Sequence, residues 1–138
     1  MDIRFVASVS VISNDPAADQ RLFVDVLGLP LEKPDDLDTD YRFSEDVDGT
    51  KHFGVWPLAE AAESCFGTSE WPSTHPVPQA SIEFEVDDVD AAAQELVDDG
   101  HALLHGTRTE PWGQVIARVQ SPGGLVIGVS YTPHLREG

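Results

Sequence analysis

Glu83 and Glu85 stand two residues apart in SIEFEV (81–86), where Ile82, Phe84 and Val86 alternate with Ser81, Glu83 and Glu85. On a strand this spacing puts both carboxylates on one face, about 7 Å apart. Buried carboxylates are costly unless paired, so Arg118, His52, water or a cationic ligand must answer them. The plainer alternatives are a wetted strand face or a simple ion pair with Arg118. Joined to the two acids, His52 would complete a ligand set suited to zinc or iron, although the spacing alone does not call for one. Taken singly, His52 reads as a hydrogen-bonded wall residue before it reads as a base. Trp56 can stack on a planar ligand or hold a cation on its π face. Cys65 has no basic neighbour in its segment to depress its pKa and reads as an inert thiol. His75, His101, His105 and His134 fall in loop or terminal contexts. The chain has no G-x-S-x-G nucleophile pattern and no phosphate-binding glycine loop.

The elements that must position these residues occur twice. FVASVSVI (5–12) alternates like a strand, and Asn14-Asp15-Pro16 opens a helix that Gly28 closes. SIEFEV alternates in the same way, Asp88 caps a helix with Val89, Ala92, Ala93, Leu96 and Val97 on one side, and Gly100 closes it. Ser8 to Ser81 and Asp15 to Asp88 each span 73 positions, and Gly28 to Gly100 spans 72. Three strand candidates follow each helix, near 30–33, 40–45 and 50–56 and near 102–105, 113–120 and 124–131. The expected unit is β-α-β-β-β, used twice, in a single α+β domain. Module one covers about 3–57 and module two about 79–131, joined by a linker over 58–78 that holds a short helix (58–66) and a proline-rich connector. The segment 35–48 holds seven acids and one base, Arg42, and reads as a solvated loop with a charged edge strand.

The chain has 138 residues and a formal charge of −17, and its pI is near 4.3. Eight Lys and Arg against 25 Asp and Glu argue against nucleic acid and against anionic membrane surfaces. The acidity fits cationic partners, and it also fits solubility or a salt-adapted cell. One cysteine and an N-terminus without a signal-peptide pattern point to the cytoplasm.

DVLGL (25–29), VDDVDAAAQEL (86–96), PWG (111–113) and SPGG (121–124), in this order within paired modules, resemble the vicinal oxygen chelate superfamily. That group includes glyoxalase I, extradiol dioxygenases and the fosfomycin- and bleomycin-resistance proteins. The resemblance spans roughly residues 3–131 and implies an open, curved eight-stranded sheet around a cavity, with helices outside. In metal-dependent members the first and last strands of each module supply His and Glu ligands; here those positions carry Ser8, a residue at or near Gly54, Ser81 and Gly128. A serine hydroxyl is a poor ligand for a divalent ion without carboxylate or imidazole help, and glycine offers no side chain. Outer strand faces should pack on helices. The inner sets are then Val6, Ser8 and Ser10; His52, Gly54 and Trp56; Ser81, Glu83 and Glu85; Gln114, Ile116 and Arg118; and Val126, Gly128 and Ser130. The expected ligand-binding residues are Ser8, Ser10, His52, Trp56, Ser81, Glu83, Glu85 and Arg118, with no metal and no cofactor. The resemblance implies a homodimer that binds a small molecule, a cationic drug by analogy with the bleomycin-resistance branch. The alternative is a lyase, isomerase or dioxygenase with relocated metal ligands, or a metal-free acid–base catalyst using His52 and Glu83. A third class is an interaction module with an unused cavity.

Overall fold

The computed structural model describes residues 1–35 and 37–136. Strand β1 (Phe5–Ser13) leads to α1 (Pro16–Gln20), whose Asp15 cap accepts a hydrogen bond from the Ala18 amide at 3.3 Å. The helix continues through wider π-helical turns over Arg21–Val26 rather than as one α-helix to Leu27. After β2 (Arg42–Ser44) and β3 (Phe53–Pro57) comes α2 (Leu58–Phe66). Module two follows as β4 (Ala80–Glu85), α3 (Val89–Asp98), β5 (Leu103–Thr109), β6 (Val115–Gln120) and β7 (Val126–Tyr131). The Asp88 carboxylate accepts from the Ala91 amide at 3.0 Å and starts α3 as its counterpart starts α1.

Among the described residues, seven strands form one sheet in the order β2-β3-β1-β4-β7-β6-β5. The expected eighth strand, near 30–33, is reduced to a single bridge between Glu32 and Phe43. Pro30 and Pro34 flank it: proline donates no ladder hydrogen bond, and it restricts the residue before it. β2 is the short outermost strand of the acidic segment, and Asp36 of that segment lies outside the described residues.

The antiparallel seam between β1 and β4 joins the modules, while β1–β3 and β4–β7 pair in parallel. A bulge falls at Ala7, between the pairs Val6↔Phe84 and Ser8↔Glu83. The extra residue reverses the faces upstream of it, so Val6 joins Phe84 on the outer face and is 41% exposed. This corrects the inward placement of Val6.

On the outer face, α3 buries Val89, Ala92 and Ala93 against Ala117 and Val129. α1 lies over the other module, with Phe23 and Phe53 rings 6.1 Å apart. The linker helix α2 sits on the opposite, inner face, where Ala61 and Cys65 pack with Ile12 and Val126, and Trp56 and Leu104 close around them. The expectation of helices outside therefore holds for α1 and α3, and α2 fills one end of the inner face.

Candidate functional site

Strand register aligns Ser8, Glu83, Gly128 and Arg118 as a row across β1, β4, β7 and β6. Ser10 and Ser81 stand in the next row, between Gly54 and Val126. Gly128 leaves its place in the row to the Glu83 side chain: a Cβ there would meet Glu83 Cγ at 2.9 Å and Ile116 Cδ1 at 3.2 Å. One Glu83 oxygen accepts from Gln114 Nε2 at 2.8 Å, and the other lies 3.6 Å from a terminal Arg118 nitrogen. Gln114 is itself held by the Thr132 hydroxyl at 3.1 Å.

Arg118 is buried. It donates to His105 Nε2 at 3.1 Å, and its guanidinium carbon lies 5.5 Å from the Trp56 ring centroid. His105 Nδ1 is 2.8 Å from the Gly106 carbonyl, so it must carry the proton and leave Nε2 as the acceptor. Burial, followed by the charges of Arg118 and Arg108, holds the His105 pKa below its ordinary value, against the raising effect of the Gly106 carbonyl and Glu110. The Arg118 Nε–H is buried without a partner among the described residues.

The two glutamates have different fates. Glu85 is fully buried and committed: it accepts from Ser130 Oγ at 3.2 Å, the Thr132 amide at 2.6 Å and Arg136 Nε at 2.7 Å. Only Glu83 faces the row that contains Arg118. His52 lies apart from both. Its ring stacks on Phe43 at 4.7 Å, and its Nε2 is 2.5 Å from the Tyr41 hydroxyl. Tyr41 in turn lies over Gly54, where a Cβ would be 2.9 Å from Tyr41 Cε1 and 3.1 Å from the Arg42 carbonyl oxygen. Burial, reinforced by Glu83, pushes the Tyr41 pKa up.

Burial lowers the His52 pKa to about 4, against a raising effect of Glu45 and with a small lowering contribution from His134. The folded value lies below the unfolded value of about 6.5, so the unfolded chain binds the extra proton between these limits. The associated stability is complete above pH about 6.5 and is lost progressively toward and below pH 4, to a total of roughly 3 kcal/mol. Urea melts at pH 7.5 and 5.0 are expected to show this loss, and His52→Phe should shrink it. An unchanged pH dependence in the variant would assign the acid sensitivity elsewhere.

The four family metal positions do not fit a divalent ion. Two carry hydroxyls, Tyr41 covers Gly54, and Glu83 covers Gly128. Among the described residues no three His, Cys, Asp or Glu side chains converge on a metal-sized site, and His52, Glu83 and Glu85 are not brought together. Two surface clefts lie away from the row. One, of about 410 Å³, is lined by Ser13, Asn14, Asp19, Leu58 and Pro78; the other, of about 510 Å³, lies between Met1 and the end of α3.

Sequence reasoning missed Tyr41, Phe43, His105, Thr132 and Arg136. The alternation of Tyr41 and Phe43 with Arg42 was the available signal for the first two. No comparable pattern marks Arg136.

Paired β-α-β-strand modules sharing one sheet, with a polar row across its inner face, define the class of two-module glyoxalase-type folds. The model of the Glyoxalase/Bleomycin resistance protein/Dioxygenase superfamily matches residues 6–129. The chain belongs to that superfamily. A superfamily member from Vibrio splendidus 12B01 superposes with a TM-score of 0.59 at 18% identity, covering 94% of this chain and 99% of that one. Methylmalonyl-CoA epimerase from Mycobacterium tuberculosis gives 0.55 at 16% identity, covering 94% and 89%. A variant of the Streptomyces coelicolor methylmalonyl-CoA epimerase, in complex with 2-nitronate-propionyl-CoA, gives 0.56 at 14% identity, covering 95% and 99%. No curated protein sequence matches significantly. No helix among the described residues is long and apolar enough to cross a membrane.

Proposed function

We propose that the protein binds a small organic molecule on the inner face of its sheet without a metal, and that the preferred ligand is a planar cation. The observation that carries this reading is the filling of the glycine positions, where Tyr41 and Glu83 lie in place of metal-ligating side chains. Glu83 offers a carboxylate whose pairing to Arg118 is long at 3.6 Å, Trp56 lies against that arginine, and Tyr41, Phe43 and His52 form a separate stacked set of flat rings. The net charge of −17 raises the encounter rate with cations and makes it salt-dependent. Ser8, Ser10 and Ser81 add hydroxyls for orientation, and Glu85 acts indirectly by fixing the end of the site. The reading includes a homodimer, by analogy with the superfamily, and a cytoplasmic location, from the single unpaired cysteine.

The catalytic alternative draws less support, because His52 Nε2 is engaged by Tyr41 and its ring is stacked. A thermal-shift panel of planar organic cations, with acridine orange and thioflavin T as fluorescent members, tests the proposal alongside elemental analysis. Members of the panel should raise Tm, since a ligand that binds only the native state stabilises it. Glu83→Gln should weaken that binding about tenfold, equivalent to about 1.4 kcal/mol. Stoichiometric metal whose removal by chelator lowers Tm would overturn the metal-free reading. Equal binding of neutral isosteres would overturn the preference for cations.

A further inference from the structure

Beyond the central row, the C-terminal segment carries an arginine enclosed by acceptors of the same chain. After β7 a single 3-10 turn, Pro133–Leu135, brings Arg136 back over the ends of β4 and β7. Its guanidinium donates from three nitrogens to three different acceptors: Nε to Glu85 at 2.7 Å, one terminal nitrogen to Asp87 at 2.9 Å, and the other to the Val86 carbonyl at 2.7 Å. The guanidinium carbon lies 4.0 Å from the Tyr131 ring centroid. Acceptors around the fork and an aromatic ring against the cation suit a guanidinium, whereas a point-like ammonium cannot reach all of them.

Both carboxylates of the cage have partners besides its occupant. Ser130 and the Thr132 amide orient Glu85 independently, and Arg4 also pairs with Asp87. The walls come mainly from strand ends, while the occupant arrives on a short turn whose Pro133 and His134 are exposed. We propose that this is a guanidinium-binding site closed in cis by Arg136, and that a free monosubstituted guanidinium takes its place when the tail is displaced. The tethered side chain competes at the high effective concentration that a short connection imposes, so the site in the intact chain answers only to ligand in excess.

Chemical complementation tests this with methylguanidinium as the probe. Arg136→Ala should lower Tm by roughly 5–10 °C. Millimolar methylguanidinium should restore most of that loss along a saturable curve, and shift the parent protein much less. Tetramethylammonium at equal ionic strength should not substitute. Adding Asp87→Asn, an exposed position, to Arg136→Ala should move the methylguanidinium midpoint about tenfold higher. A non-saturable response shared by parent and variant, or equal rescue by tetramethylammonium, would overturn the proposal. If Arg136→Ala does not fold in plain buffer, Arg136→Lys supplies the test. Lysine keeps a charge beside Glu85 without the fork, and that variant must still show the guanidinium-selective shift; its absence overturns the site.

Discussion

Glu85→Ala is expected to cost about 3–4 kcal/mol of folding stability, the largest loss from any single substitution considered. The carboxylate is fully buried and accepts from a hydroxyl, a backbone amide and a guanidinium. Truncation strands the Thr132 amide and Ser130 hydroxyl, both buried, in a space that alanine does not fill. Arg136 recovers part of its own hydration because its side chain is 24% exposed, and this keeps the cost toward the lower end of the range for broken buried pairs. Glu85→Gln retains the volume and can keep its carbonyl oxygen on the Thr132 amide and Arg136 with its NH2 group facing the Ser130 hydroxyl, but it loses the charge opposite Arg136, so about half the loss is expected. Urea denaturation should show a lower midpoint with an unchanged slope. A loss under about 1 kcal/mol for Glu85→Ala would mean that the buried bonds are replaced by water at little cost.

Gly128→Ala is the second large effect, expected at about 2–3 kcal/mol from overpacking. The new methyl would stand 2.9 Å from Glu83 Cγ and 3.2 Å from Ile116 Cδ1. A free glutamate would swing away, but this one is held by Gln114 at 2.8 Å and lies against Arg118, so moving it gives up both partners. The diagnostic experiment is the double variant. Removing the obstructing side chain with Glu83→Ala in the Gly128→Ala background should recover most of the steric loss, giving a strongly non-additive cycle. Additive losses would show that the glycine is required by the backbone and not by its neighbour across the strand.

Much of this arrangement is legible in the sequence because β structure has a strict period of two. The 73-residue repeat located the paired modules, and alternation placed Glu83, Arg118, Ser10 and Trp56 on one face. The misreadings occur where that period is interrupted. The bulge at Ala7 is set by pairing with β4, not by a local residue preference, so Val6 was given the wrong face. The strand expected near 30–33 begins at Pro30 and is followed by Pro34, and neither proline can complete a ladder. Tyr41 and Phe43 sit among acids whose charge marks the segment as solvated, although their rings turn inward over Gly54 and His52. The short helix expected over 58–66 carried no indication of which face of the sheet would receive it. Arg136 lies beyond the last repeat element, where no periodicity constrains it. Its partners at 85, 86 and 87 become visible only once β4 and β7 are side by side.

The seam between β1 and β4 also bears on how the chain is made. During synthesis the first module emerges from the ribosome before β4 does, so β1 has β3 on one side and an open ladder on the other. Unpaired strand edges are where nascent chains associate wrongly, and this one stays open until the chain has grown past Glu85. The acids of 35–48 belong to the same emerging half. Like charge of this kind disfavours the close approach of neighbouring copies of the chain while that edge is open.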